Sequence, residues 1–266
     1  FSMVEFSDAD GRYFFGGLRP GTYCITETQP TGVSDGRETL GSIAGSSSST
    51  FGSASNNRFS NIKLAANRDG INYNFGETGS TVRCGQAATI GFWQNSSGQS
   101  LLKCLNNGSS DTNLGIWLAA NFPNLYGANA GTNSLLGKTN AQIASYYSTL
   151  YKTNAQKLDA QVIALAFASD VTDSGLAGTV ARNYGFVVSD TGVGSATFNV
   201  GSNGAAFGVN NNSTVAVSAL LQIADNRSWN GTLWDVDHSA TLSGTEQSWR
   251  NMATNIFNAI NNAGGV

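Results

Sequence analysis

Apolar and polar side chains alternate in the first third of the chain, which is the pattern of strands with one buried face. The inward positions are Tyr13, Phe15, Leu18, Tyr23 and Ile25. Between them lies Pro20-Gly21, where proline fixes φ and glycine accepts a positive φ, so the pattern predicts strand, tight turn and strand. A second alternating run, from Ile71 through Tyr73 to Phe75, predicts a closing strand of the same β unit.

From residue 85 onward the apolar spacing changes to that of amphipathic helices. Three helix starts carry capping pairs: Thr139 with Gln142, Thr153 with Gln156, and Ser243 with Glu246. In each pair a hydroxyl and a side chain three residues later satisfy N–H groups of the first turn. Two more helices are predicted over about 112–122 and 213–225, and residues 186–189 and 196–200 predict a small hairpin.

Several motifs follow one another in the first third: DADGRYFF at 8–15, LRPGTY at 18–23, ITETQP at 25–30, DG at 35–36 and INYNFGE at 71–77. In this order they resemble the second half of the B-type modules of bacterial surface adhesins, the Cna B-type and SD-repeat B-type family of immunoglobulin-like sandwiches. The resemblance implies a stalk, spacer or adhesive role outside the cell. GFWQNSSGQSLL at 91–102 resembles a poorly characterised module that can follow B-type domains in large secreted bacterial proteins.

Pattern and resemblance together predict a multidomain α+β fold. A partial immunoglobulin-like β-sandwich is expected over residues 1–78 and a linker over 79–84. Residues 85–266 are expected to form a mainly α-helical domain with a β-hairpin near 186–209.

The strands that a B-type module has before its Asp-rich motif are mostly missing upstream of Asp8. We expect a neighbouring copy to supply them, because an incomplete sheet offers an open strand edge. The alternative is that the missing strands lie upstream of Phe1. The apolar face to be covered consists of Tyr13, Phe15, Tyr23, Ile25, Tyr73 and Phe75.

The resemblance also implies a calcium site. One branch of the family binds calcium through Asp-rich loops, which Asp8 and Asp10 resemble. A calcium ion needs about six to eight oxygen ligands, so two aspartates supply only part of its shell. The alternative is a plain turn in which Asp8 accepts backbone N–H bonds ahead of Gly11.

Another branch of the family crosslinks itself through an isopeptide bond between a lysine and an asparagine or aspartate, assisted by a buried acid. Glu27 resembles that acid, and Asn72 or Asn74 would be the amide partner. No lysine precedes Lys63, so the reactive amine would have to come from elsewhere.

Composition limits the function classes. Only 12% of the 266 residues are charged, against about 25% in typical globular proteins, whereas 40% are hydrophobic. The chain is therefore expected to fold with a surface of uncharged polar groups. A net charge of −3 gives no electrostatic reason to expect nucleic-acid binding, and we expect no membrane insertion.

The three cysteines, Cys24, Cys84 and Cys104, cannot all pair within one chain. A bridge between Cys84 and Cys104 would close a loop of about 20 residues and contribute about 3 kcal/mol. Cys24 is expected to be a free thiol or, in the alternative, a partner of Cys84 or of another molecule. An oxidising, extracellular location fits this pattern.

No catalytic motif is found, and the protein is expected not to be an enzyme. The single histidine, His238, lies in DVDH, where Asp235 and Asp237 could complete a metal site; a solvated loop is the alternative. The sequence contains no nucleophile elbow, phosphate loop or zinc-protease motif.

Three tryptophans could stack on sugar rings: Trp93, Trp229 and Trp234. The alternative is that they fill the core. The function expected from all these features is an extracellular structural protein of a bacterial surface or matrix. It would self-associate into a filament or layer by strand completion, with other copies of itself as partner. An adhesin or carbohydrate-binding module recognising a glycan or host protein is the alternative.

Overall fold

The computed structural model describes residues 2–8, 11–28, 33–35, 37–46, 51–79, 81–153 and 157–266. The chain divides into two compact units. The first, here called the β unit, comprises Phe1–Pro30 and Ser34–Thr78, and the second, the helical unit, comprises Thr31–Val33 and Gly79–Val266. Helices and small sheets are both present, which confirms the α+β class.

Seven short strands lie in the first third of the chain: β1 (Gly21–Thr26), β2 (Val33–Asp35), β3 (Ser42–Ile43), β4 (Ser53–Ser55), β5 (Arg58–Leu64), β6 (Gly70–Ile71) and β7 (Glu77–Gly79). The largest sheet has the order β1-β5-β4, and the pairs β2-β7 and β3-β6 form two smaller sheets. β4 and β5 are antiparallel and joined at Asn56-Asn57, where Asn57 has φ +54°. Asparagine tolerates this conformation, which tight hairpin turns require.

The predicted immunoglobulin-like sandwich is not seen in the residues that the structure describes. The run from Tyr13 to Leu18 belongs to no strand, although its alternation is real. Tyr13 and Phe15 are half-buried, whereas Phe14 is 79% exposed. Alternation decides which way a side chain points, but a ladder also needs a partner strand, and the described residues offer none to this run.

The predicted closing strand from Ile71 to Phe75 is also corrected. Only Gly70–Ile71 is a strand, because Asn72 adopts φ +59° and interrupts the extended backbone. Beyond the interruption, Asn74 forms a single bridge with Thr39.

The core of the β unit is small. Its buried members among the described residues are Ile43, Phe59, Ile62 and Tyr73. Half-buried residues surround them: Tyr23, Ile25, Phe51, Leu64 and Phe75.

Nine helices and one hairpin are described in the helical unit. The helices are α1 (Ile90–Gln94), α2 (Ser96–Cys104), α3 (Asn113–Asn121), α4 (Asn140–Lys152), α5 (Lys157–Val171), α6 (Ser174–Ala177), α7 (Gly204–Phe207), α8 (Val217–Asn226) and α9 (Gly244–Ala263). α5 is buried on every side from Ala160 to Val171 and packs against α9, α4 and α8. A helix that is buried all round is a core helix, although this one also buries Gln161, Ser169 and Asp170.

Two predicted capping boxes are confirmed. Thr139 and Gln142 exchange hydrogen bonds at the start of α4, and Ser243 and Glu246 do so at the start of α9. In the third pair, Gln156 lies outside the described residues, and α5 is described from Lys157.

The predicted hairpin near 186–209 has a different partner strand. β8 (Thr197–Asn199) pairs with β9 (Thr214–Ala216), not with residues 186–189. Residues 186–189 form hydrogen bonds with other segments: the Val187 N–H donates to the Gly85 carbonyl, and the Ser189 N–H donates to the Thr172 carbonyl. Sequence spacing did not reveal these non-local partners.

Candidate functional site

β1 is an edge strand. Among the described residues it pairs with β5 on one side and with nothing on the other. The opposite edge of the sheet is β4, which is short and consists of Ser-Ala-Ser. An unpaired edge presents a row of N–H and C=O groups to which another strand can bond. β1 is therefore the longer open edge of this sheet.

The two faces of β1 differ in polarity. Tyr23 and Ile25 are half-buried against the small core, whereas Thr22, Cys24 and Thr26 are exposed. The pairing register with β5 shifts between Tyr23 and Ile25, so Cys24 lies at a bulge. Bulges re-aim neighbouring side chains and are common at sheet edges.

A positive charge lies on the exposed face of this edge. Arg58 starts β5 opposite Thr26, and its Nη2 donates to the Cys24 Sγ at 3.3 Å. The guanidinium has therefore crossed from β5 onto β1. Lys63 lies opposite Thr22 near the other end of the strand. The sequence patterns gave no indication of this arrangement, because it depends on the register of β1 with β5.

The six residues predicted to form the self-association face are brought together; Tyr73 is buried, and the other five are half-buried. Ring centroids of Tyr13 and Phe75 lie 6.3 Å apart, and those of Phe59 and Phe75 lie 4.5 Å apart. The Tyr13 hydroxyl donates to the Tyr73 carbonyl, and Tyr73 is buried. Burial, with Glu27 nearby, raises the pKa of Tyr13 to about 12. Tyr13 thus covers part of Phe75, and a self-association face at these residues stays a prediction.

The apolar side chains of the β unit that are most exposed to solvent lie nearer the start of the chain. Val4 is 78% exposed and Phe6 is 89% exposed, and Phe14 is similarly open. Residues 2–8 are all exposed and belong to no strand. Sequence reasoning overlooked Val4 and Phe6, although their i, i+2 spacing is that of a strand face.

The Asp-rich motif forms a turn at Asp8. Its Oδ1 accepts the Arg12 N–H at 2.8 Å, and its carbonyl accepts the Gly11 N–H at 2.9 Å. Gly11 has φ +75°, which glycine adopts without strain. Asp10 lies outside the described residues, and calcium binding at this motif stays a prediction.

The isopeptide bond proposed for Glu27 with Asn72 or Asn74 stays a prediction. Glu27 is half-buried near Tyr13, while Asn72 and Asn74 are exposed. The Asn74 N–H and carbonyl bond to Thr39, and Lys63 makes no described hydrogen bond to either asparagine. A lysine from outside the described residues would still be required.

The predicted bridge between Cys84 and Cys104 is not formed in this structure. All three cysteines are described, and each is an exposed free thiol. The Cys84 Sγ lies 3.4 Å from the Gly265 carbonyl oxygen, whereas the Cys104 Sγ lies 3.7 Å from the Tyr184 hydroxyl. The two thiols thus have different neighbours.

The loop before α9 gathers three carboxylates, those of Asp235, Asp237 and Glu246, with oxygens within 4.8 Å of one another. His238 does not join them; it stacks on Trp229 at 4.3 Å between ring centroids. Of the two alternatives for DVDH, the metal site formed by His238 with Asp235 and Asp237 is therefore not assembled, and Glu246 is the group that joins the aspartates.

Backbone N–H groups already occupy these carboxylates. Glu246 Oε1 accepts the Val236 N–H at 2.8 Å, and Oε2 accepts the Ser243 N–H at 2.7 Å. Asp235 Oδ1 and Asp237 Oδ1 both accept the Ser239 N–H. The bonds from Ser243 hold the pKa of Glu246 at about 2. The cluster thus fastens the loop to the start of α9.

The three tryptophans do not form a common platform. Trp93 and Trp234 are fully buried, as expected of residues that fill a core. The Trp234 Nε1 donates to the Ala206 carbonyl at 2.9 Å. Trp229 alone is exposed, at 39%.

A cleft of about 320 Å³ lies beside α4 in the helical unit. Its lining is mostly polar, with one aromatic residue: Thr132, Ser134, Leu135, Lys138, Gln142, Ser145, Tyr146 and Thr149. The hydroxyl and amide groups could bond a polar ligand, but a single ring gives little surface for stacking.

No protein-family model, curated protein or solved structure matches this chain. Among the described helices, none combines the length and hydropathy that crossing a bilayer requires.

Proposed function

We propose that this protein is an extracellular structural component that self-associates by adding a strand to its β unit. The observation that carries the proposal is the unpaired outer edge of β1, which borders a core with only four buried side chains among the described residues. An added strand would complete the hydrogen bonds of the edge and extend the cover over Tyr23 and Ile25.

Three further features support the proposal. Few charges are present, so little electrostatic repulsion keeps copies apart. The exposed apolar side chains Val4, Phe6 and Phe14 all belong to the β unit. The motifs between residues 8 and 77 also resemble modules of surface adhesins, which supports an extracellular location.

Hydrogen exchange across a concentration series tests the proposal, with sedimentation velocity to measure assembly. We expect the sedimentation coefficient to rise with concentration and the amides of β1 to become protected in parallel. β4, the other edge of the same sheet, serves as the internal control and should exchange at an unchanged rate. A monomer at every concentration, or protection confined to the helical unit, would contradict the proposal.

A glycan-binding adhesin is the second candidate, and the exposed ring of Trp229 favours it. The ring is held by its stack on His238 and is available for contact at 39% exposure. Sugar rings pack on such aromatic faces. This candidate is supported if a glycan array binds the wild type but not Trp229→Ala. The substitution should leave self-association unchanged.

A further inference from the structure

We propose that residues 2–7 of one copy are the added strand on β1 of the next copy, with Val4 and Phe6 facing the core and Glu5 beside Arg58. This inference rests on the proposed self-association and specifies which segment provides it. Both halves of the contact are visible in a single chain: an open edge and an exposed segment with a strand-like pattern.

The donor half is the segment itself. Its side chains are exposed throughout, and Val4 and Phe6 are among the most open apolar groups of the chain. Residues 2–7 belong to no helix or strand of the described structure. In an extended conformation Val4 and Phe6 lie on one face, and Met3, Glu5 and Ser7 lie on the other.

The acceptor half matches this spacing. Tyr23 and Ile25 are also two residues apart on one face of β1, and both are only half-buried. Adjacent strands lie about 4.8 Å apart, so side chains of an added strand would contact this pair directly or diagonally. Val4 and Phe6 would thereby lose much of their exposure to water.

Charge fixes which face of the donor points inward. With Val4 and Phe6 inward, Glu5 lies on the exposed face beside Cys24, where the Arg58 guanidinium is found. A slip by one residue would instead place the Glu5 carboxylate against Tyr23 and Ile25. Burying an unpaired carboxylate is costly, so only the first arrangement is favourable.

Donor and acceptor are different surfaces of the β unit, so the contact is head-to-tail. Such contacts produce a ring when the rotation between copies closes and an open filament when it does not. This agrees with a protein that builds an extended assembly.

Substitution at the donor provides the first test, read by sedimentation velocity of the full chain. Phe6→Ser should weaken association by roughly 10- to 100-fold, because burying a phenylalanine side chain contributes about 1.5–3 kcal/mol. Phe14→Ser is the matched control, since Phe14 is 79% exposed but lies outside the donor; its association should equal that of the wild type.

Charge reversal tests the pairing of Glu5 with Arg58. Glu5→Arg and Arg58→Glu should each weaken association by up to about fivefold, because exposed pairs contribute about 1 kcal/mol or less. The double variant should recover affinity, and added salt should reduce all three differences. If the association free energy lost in the double variant equals the sum of the losses in the two single variants, the pairing is overturned.

A mixed crosslinking experiment tests the geometry directly. The donor copy carries Glu5→Cys and Cys24→Ser, the acceptor copy keeps Cys24, and both carry Cys84→Ser and Cys104→Ser. With oxidised glutathione, we expect a disulfide-linked pair on a non-reducing gel. Val4→Cys in place of Glu5→Cys should crosslink poorly, because that side chain points to the other face.

The outcomes separate the inference from the function on which it rests. If the wild type never associates, the proposed self-association fails. If the wild type associates but Phe6→Ser has no effect and Glu5→Cys gives no linked pair, self-association stands and residues 2–7 are not the donor. Loss of assembly with Phe6→Ser together with a Glu5→Cys crosslink supports the inference.

Discussion

The two units differ in the size of their buried cores. The helical unit is built around α5, whose side chains are buried from Ala160 to Val171. The β unit has a core of four buried side chains among the described residues, with Phe59 fully buried. In the helical unit the large aromatic residues Trp93 and Trp234 are fully buried. In the β unit, Phe6 and Phe14 remain in water. Both units keep some apolar side chains exposed, such as Leu136 and Val187 in the helical unit, but only the helical unit has a large buried core.

This difference indicates where an assembly contact belongs. A unit with a small core obtains little stability from burial, and each additional apolar contact is then a large fraction of the total. Partner contacts should therefore stabilise the β unit and leave the helical unit almost unchanged. Four substitutions, taken from the largest expected effect to the smallest, test this difference.

Phe59→Ala should have the largest effect. The ring is fully buried and contacts Tyr73 and Phe75, so its removal should cost about 3–5 kcal/mol and unfold the β unit. Hydrogen exchange read by mass spectrometry should show loss of protection in β1 and β5 with unchanged protection in α5. Phe257→Ala, the matched change in α9, should cost a similar energy yet leave the helical unit folded. Retained protection in β1 after Phe59→Ala would contradict the comparison.

Asp170→Asn should stabilise the helical unit above neutral pH. Asp170 is 2% exposed, and its Oδ2 has no hydrogen-bond partner among the described residues. Burial, together with the Asp173 carboxylate, raises its pKa from 3.8 to about 7. The folded state therefore holds the proton more tightly than the unfolded state, and the wild type loses stability as the pH rises from about 4 to about 7.

The variant lacks this titration. The difference in unfolding free energy between Asp170→Asn and wild type should be near zero below about pH 4, grow up to about pH 7 and then stay constant. Its size follows from the ratio of proton affinities of the folded and unfolded states, at about 1.4 kcal/mol for each tenfold ratio. Urea unfolding over this pH range measures it, and Asp190→Asn on the surface is the control. A difference independent of pH would contradict the assignment to Asp170.

Glu246→Gln should lower the unfolding temperature by a smaller amount. Backbone bonds lower the pKa of Glu246 from 4.5 to about 2, so its contribution is present above pH about 4.5 and is lost as the pH falls toward about 2. In thermal melts, the difference in unfolding temperature between variant and wild type should therefore decrease to zero as the pH falls over that range. Gln142→Ala in the neutral capping box of α4 is the matched control, and its effect should not depend on pH.

Trp229→Ala should have the smallest effect on stability, within about 0.5 kcal/mol, because the ring is partly exposed. Trp234→Ala, at a fully buried position, should by contrast cost about 3–5 kcal/mol. Denaturant melts of both variants provide the measurement. Equal losses would show that the loop around Trp229 is part of the core.

Features that depend on neighbours in sequence were predictable. The capping boxes at Thr139 and Ser243 formed as expected, because a cap involves residues only three positions apart. The inward direction of Tyr13 and Phe15 was also predicted, since alternation depends on the extended backbone alone. The outward direction of Phe14 follows from the same rule.

The sequence by itself therefore determined the α+β class, the helix starts at Thr139 and Ser243, and the side to which Tyr13, Phe14 and Phe15 point. Only the tertiary structure decided which strands pair: β8 with β9, and β1 with β5 but with no second neighbour among the described residues. The same pairing placed Arg58 on Cys24, which makes the open edge positive. Pairing joins residues far apart in sequence, and its free energy depends on the partner's register and cover, which no local pattern specifies.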